Sequence, residues 1–135
     1  MARHNKLGAL GERIAEEFLM KRGFKILDRN YWRPWGELDI VASYKGILRF
    51  VEVKSVSSEI SESDVAHETS RGRDTYRPED NLHRDKVARL KRVIQTYLSN
   101  KRVSDETRWQ FDLAAVFIDE ERRKARVEFI EDIVL

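Results

Sequence analysis

Between Gly36 and Lys54 the chain reads GELDIVASYKGILRFVEVK. Two apolar-rich runs, Leu38 to Ala42 and Ile47 to Val53, flank a short polar break at Ser43-Tyr44-Lys45-Gly46. Apolar runs of strand length on either side of a glycine-containing break form a β-hairpin. Asp39, Glu52 and Lys54 stand where a strand would otherwise carry apolar residues. With a two-residue Lys45-Gly46 loop, Tyr44 faces Ile47, Asp39 faces Glu52, and Glu37 faces Lys54. Side chains alternate between faces along a strand, so Glu37 and Asp39 share one face, and so do Glu52 and Lys54. Directly opposed side chains have Cβ atoms about 5 Å apart, and like charges there repel.

A divalent cation changes the sign of that repulsion. Mg²⁺ takes oxygen ligands, keeps several waters, and is often held by one or two carboxylates together with substrate phosphate. Lys54, one step along, could hold a phosphate oxygen or position a water. A plainer arrangement fits the same spacing: both carboxylates face solvent and Lys54 pairs with Glu37 across the ladder. A longer loop would shift the register and separate the two carboxylates.

The rest of the chain supplies a scaffold. At 135 residues it makes one domain, long enough to bury a core. Hydrophobic residues are 41% and charged residues 37%, which suits a polar-surfaced globular protein. Without cysteine there is no disulfide framework and no thiolate metal site. The longest apolar run, Leu113 to Ile118, is far short of the roughly 20 residues a spanning helix needs, so no membrane partner and a cytoplasmic location are expected. A net charge of +2 excludes a strongly basic tail binder; any electrostatic footprint must come from how the charges are distributed.

Residues 6 to 22 carry Leu7, Leu10, Ile14 and Phe18 at helical spacing, with Asn5 as N-cap and Lys21-Arg22-Gly23 as a C-terminal signal. Gly8 and Gly11 lower helix propensity, and their use is close approach to another element or a ligand backbone. Glu12 lies off that apolar face, beside Leu19, the place of an ordinary boundary glutamate. Phe24 to Tyr31 reads as a strand and Trp32-Arg33-Pro34-Trp35-Gly36 as a turn. Its tryptophans cap a core or stack on bases, and Arg33 is a candidate phosphate contact. Ser57 to Asp80 reads as a long loop, of a length that is usually functional or mobile, with His67 and His83 in or beside it and neither at ligand spacing. Leu82 to Asn100 is a second helix with Val87, Leu90, Ile94, Tyr97 and Leu98 on its buried stripe. Lys86, Arg89 and Arg92 form a flanking basic ridge, either plain solvated surface or a rail for a nucleic-acid backbone. Trp109 to Ile118 reads as a buried strand interrupted by Asp112, a structural or supporting aspartate. Asp119 to Arg123 is a turn, and Val127 to Leu135 is a final edge strand whose apolar edge could support a homodimer. The order α-β-β-β-α-β-β gives an α/β fold, one central mixed sheet with a helix on each side.

Asp39, followed after twelve residues by Glu52-Val53-Lys54, resembles the D…(D/E)-x-K signature of the PD-(D/E)XK nucleases, the restriction-endonuclease-like superfamily. GALGERIAEEFLMKRGFKILDRNYW, then GELDIVA and FVEVKS, is similar to the YraN-like family of small bacterial predicted nucleases, which in turn resembles archaeal Holliday-junction resolvases. The likeness extends through RLKRVIQTYL and FDLAAV and is weakest between Ser57 and Asn81. It implies a restriction-endonuclease-like αβββαβ core and a metal-dependent endonuclease that hydrolyses phosphodiester bonds in nucleic acid, DNA first and branched substrates among them. Mg²⁺ or Mn²⁺ would be bound by Asp39, Glu52 and the backbone carbonyl of Val53. Lys54 would orient the attacking water and Glu12 complete the site, and Lys86 matches a lysine that sits toward the active face; with Arg33, Arg89 and Arg92 of the turn and the basic ridge it is a candidate nucleic-acid contact. Two other readings of the same residues are a non-catalytic nucleic-acid-binding module on this scaffold and a protein-interaction domain with surface carboxylates.

Overall fold

The computed structural model describes residues 6–58 and 84–135. The elements run α1 (Lys6–Lys21), β1 (Lys25–Arg33), β2 (Gly36–Tyr44), β3 (Ile47–Ser57), α2 (Arg84–Asn100), β4 (Trp109–Asp119) and β5 (Lys124–Ile130). They build an α/β fold compatible with a restriction-endonuclease-like core: one five-stranded sheet in the order β1-β2-β3-β4-β5, with β3 and β4 parallel and the other neighbours antiparallel. The helix α2 lies between the two parallel strands in sequence, as a parallel connection requires. No helix among the described residues is long and apolar enough to cross a membrane. The N-cap expected at Asn5, the histidines at 67 and 83 and the loop expected to Asp80 lie outside the described residues, apart from Ser57 and Ser58.

The sheet separates two cores. On one face Leu90, Val93, Ile94 and Tyr97 of α2 pack on Tyr31, Leu38, Val41, Leu48, Phe50 and Phe111. On the other, Ala15 and Leu19 of α1 pack on Ile40, Ala42, Val51, Ala114, Val116 and Ile118. The most buried stripe of α1 is Gly11, Ala15 and Leu19, with Leu7, Leu10, Ile14 and Phe18 half-buried beside it. The expected face is therefore corrected by a rotation toward the small residues. Helical packing distance explains the rotation: a Cβ on Gly11 would stand 1.8 Å from Ser55 Oγ, so the helix meets β3 backbone-close only where the side chains are smallest. The rotation brings Glu12 to about 60° from the buried direction. At the helix end Gly23 takes φ 95°, and the Gly23 and Phe24 amides donate to Met20 and Leu19 at 3.0 Å, closing the helix as its sequence signals.

The β2–β3 hairpin has the expected two-residue turn. Tyr44 pairs with Ile47, and the register continues to Ile40 opposite Val51. Lys45 (φ 52°) and Gly46 (φ 79°) both take positive φ, the turn whose twist matches that of the strands. Trp32 and Arg33 belong to β1, so the first turn is only Pro34-Trp35, and Trp35 packs against the α2 core while Trp32 stays 44% exposed.

The chain end departs from the expected strand. Only Lys124–Ile130 pair with β4; residues beyond turn back over the α2-side core, where Ile133 and Leu135 pack. The Ile133 amide donates to Phe111 O at 2.8 Å and the Asp132 amide to Asp112 Oδ1 at 2.8 Å. Asp112 is fully buried and also accepts from Arg49 Nη1 at 3.0 Å and Gln110 Nε2 at 2.9 Å. It is a structural aspartate that anchors the tail, and the apolar edge expected from Val127 to Leu135 is shorter than the sequence suggested.

Candidate active site

Between β2 and β3 the ladder stops at Ile40 and Val51, one step before Asp39 and Glu52. Beyond that point β2 pairs only with β1, and β3 only with β4, so the two strands part like a fork. A local event in β2 accompanies the parting. Leu38 and Ile40 would share a face in a regular strand, yet Leu38 belongs to the α2-side core and Ile40 to the α1-side core. The alternation resets at Asp39, across from Asn30, which takes φ 50°. Asparagine tolerates the left-handed region better than most residues. Asp39 thus turns its carboxylate toward β3, where its Oδ2 accepts the Val53 amide at 2.8 Å.

That hydrogen bond also orients Val53. In an extended strand the N–H and C=O of one residue point to the same edge. The Leu48 amide donates toward β4, to Arg108 O, so even-numbered amides of β3 face β4 and odd-numbered ones face β2. The Val53 carbonyl therefore points into the fork, beyond the last residue pair of the β2–β3 ladder.

Four acidic residues act on this point. Burial pushes the Asp39 carboxyl up to about 7; the Val53 N–H pulls it down, while the negative charges of Glu52, Glu12 and Glu37 add to the rise. Glu12 reaches Asp39 electrostatically from α1 on one face of the sheet, and the Gly11 contact with Ser55 sets how near the helix comes. Glu52 lies on the other face, where Lys86 Nζ of α2 donates to its Oε2. A cavity of about 270 Å³ opens on this side, lined by Gly36, Glu37, Asp39, Glu52, Lys86, Arg89 and Leu90. Gly36 permits its narrow end: a Cβ there would stand 3.2 Å from Arg89 O and 3.3 Å from Val93 Cβ.

The structure thus brings together Glu12, Asp39, Glu52, the Val53 carbonyl, Lys86 and Arg89. Lys54 is exposed on the strand face that it shares with Glu52. No ion pair holds its ammonium among the described residues. Arg33 and Arg92 do not line the cavity. Arg33 Nη1 donates to Trp32 O at 2.7 Å with its guanidinium 4.3 Å from the Tyr31 ring, and Arg92 lies 4.3 Å over the Trp35 ring. Glu37 as a fourth negative charge and the ion pair of Lys86 with Glu52 were not expected from the sequence. The first had a signal in its place two residues from Asp39; the second joins positions 34 apart and has none.

The donor set suits a hard cation. Asp39, Glu52 and the Val53 carbonyl offer oxygen donors only, and the Asp39 carboxyl is raised first by burial and then by the neighbouring acidic residues. Among the described residues no group of three or more histidine, cysteine, aspartate and glutamate side chains is placed to hold a metal ion by itself.

A family model, that of the uncharacterised protein family UPF0102, matches residues 11–116, the span that contains every residue of the fork. A UPF0102 protein of Wolinella succinogenes is 34% identical over 128 residues, covering 95% of each chain. One of Flavobacterium psychrophilum is 34% identical over 132 residues, covering 98% of this chain and 96% of its own. One of Syntrophotalea carbinolica is 40% identical over 110 residues, covering 82% of this chain and 77% of its own.

Proposed function

The chain belongs to the uncharacterised protein family UPF0102, and we propose that it is a metal-dependent nuclease of the PD-(D/E)XK type acting on nucleic acid, DNA in the first place. The observation that carries this reading is the fork itself: Asp39 and Glu52 lie just past the last β2–β3 pair, with the Val53 backbone held between them by the Asp39 carboxylate. A strand pair that served folding alone would gain nothing from ending on two carboxylates beneath a third and a fourth.

Asp39, Glu52 and the Val53 carbonyl would hold Mg²⁺ or Mn²⁺. Such an ion lowers the pKa of an attacking water and offsets charge that develops on the phosphate. The chain's own groups do the rest. Asp39 and the Val53 amide fix one another, so the carboxylate is oriented before a ligand arrives. Lys54, exposed and on Glu52's strand face, orients the water or donates to a phosphoryl oxygen. Glu12 adds negative charge from the opposite face and accepts from water at the fork. Arg89, at the cavity wall, meets a neighbouring phosphate.

A panel of branched, single-stranded and duplex substrates assayed with Mg²⁺ and with Mn²⁺ tests the reading. Cleavage of at least one substrate is expected, and Asp39→Ala or Glu52→Ala should abolish it while circular dichroism stays unchanged. Undiminished metal-dependent cleavage by either variant would end the assignment. The lack of a three-carboxylate cage among the described residues favours a second reading, a nucleic-acid-binding module on this scaffold without turnover. Gel-shift binding without cleavage across several metals would support that one instead.

A further inference from the structure

Lys86 sits in the first turn of α2, and its side chain crosses the cavity to Glu52. Its ammonium occupies the carboxylate that the proposed function gives to a divalent ion. Both cannot share Glu52 on equal terms. Two like charges a few ångströms apart in a partly enclosed site repel strongly, and the dication is the better match for a carboxylate already beside Asp39. The side chain of Lys86 is 35% exposed and that of Glu52 is 15% exposed, so the ammonium has an open path away on a flexible stem while the carboxylate stays put. Arg89 stands one turn along α2 on the same cavity wall, and Lys54 is exposed on the same sheet face.

We propose that Lys86 is a resident counter-cation of the fork: it holds Glu52 when no metal is bound, and a divalent ion releases it into the cavity, where it positions a backbone phosphate beside Arg89. This rests on the nuclease reading and adds a coupling to it. The ion would weaken the Lys86 contact, and the freed ammonium would strengthen phosphate binding, so metal and nucleic acid raise each other's affinity through one side chain. Such coupling is reciprocal by necessity. Lys86 is a positioning residue in this scheme, not a reacting group.

The test measures Mn²⁺ affinity by calorimetry for the wild type, Lys86→Met and Lys86→Arg, and binding of a fluorescein-labelled DNA strand by anisotropy in Ca²⁺ and in EDTA. Circular dichroism checks that each variant is folded, and Lys86→Gln replaces Lys86→Met if the latter is not. Lys86→Met should bind Mn²⁺ about fivefold tighter or more, yet lose most of the Ca²⁺ stimulation of DNA binding. Lys86→Arg, which keeps the charge, should keep the wild-type values. A merely structural lysine would not tighten one ligand while uncoupling the other. Wild-type Mn²⁺ binding with equal or weaker binding by Lys86→Met overturns this inference and leaves the nuclease reading standing. Absence of Mn²⁺ binding by all the proteins overturns both.

Discussion

Asp39→Asn should stabilise the metal-free protein, and the effect should depend on pH in one direction. The Asp39 carboxyl is raised from 3.8 to about 7, first by burial and then by Glu52, Glu12 and Glu37. A group whose folded pKa exceeds its unfolded one binds its proton more tightly in the folded state. The stability it contributes is present below the unfolded value and lost as pH rises through the folded value. Each unit of pKa difference corresponds to about 1.4 kcal/mol, so the wild type should lose about 4 kcal/mol relative to the variant between about pH 4 and pH 7. For a chain of this length that is a melting-temperature difference of about 10 to 15 °C near neutrality. Asparagine keeps the local structure, because its Oδ1 can accept the Val53 amide as Asp39 Oδ2 does. Urea unfolding of both proteins in EDTA, repeated from about pH 5 to pH 8, reads the effect as profiles that diverge with a slope near 1.4 kcal/mol per pH unit below about pH 7 and run parallel above it. Mg²⁺ added near pH 8 should then raise the wild type and leave the variant unmoved, since ligand binding to the folded state alone is stabilising. Profiles in EDTA that run parallel over the whole range would refute the reasoning, because they would mean that the carboxyl is neither buried nor crowded by like charge.

Other perturbations test the scaffold. Gly11→Ala should destabilise by about 1 to 3 kcal/mol, since its Cβ would collide with Ser55 Oγ, and Ser55→Gly in the same chain should recover much of the loss in a double-mutant cycle. Asp112→Ala should cost about 3 to 5 kcal/mol by stripping the buried Arg49 guanidinium of one partner. In that variant, hydrogen exchange at the Asp132 and Ile133 amides should quicken well beyond the change at β4, because the tail is anchored through Asp112.

The two-residue Lys45-Gly46 turn that the sequence allowed does form, with positive φ at both positions, and it sets the β2–β3 register from Tyr44–Ile47 to Ile40–Val51; the Asp39–Glu52 and Glu37–Lys54 pairs that the same register implied do not form. The face of α1 did not follow from the residues alone, because reading hydrophobicity favours large side chains while close packing favours small ones. Leu7, Leu10, Ile14 and Phe18 were legible as apolar, but Gly11 and Ala15 lie deeper. The tail was mistaken for strand because Ile133, Val134 and Leu135 have strand composition; what holds it is a buried carboxylate twenty positions earlier in the chain, a long-range contact. The parting of β2 from β3 was likewise hidden. Its local sign was Asn30, on a different strand, whose backbone conformation no residue pattern announces. Asp39 and Glu52 could therefore be set opposite each other on paper, but the inward-facing Val53 carbonyl could not be foreseen as a consequence of geometry.

The Lys45-Gly46 turn serves as a ruler for the chemistry at the far end of its hairpin, about 20 Å away by the rise of a strand. One residue added to it or taken from it would slide β2 against β3 and carry Asp39 out of step with Glu52, while most of the apolar pairs found new neighbours. Length variation in relatives that keep both carboxylates should then collect at other bends, such as Pro34-Trp35 or the Asp119–Arg123 connection, and spare this one. A designer wishing to silence the fork without touching an acidic residue would begin by lengthening that turn.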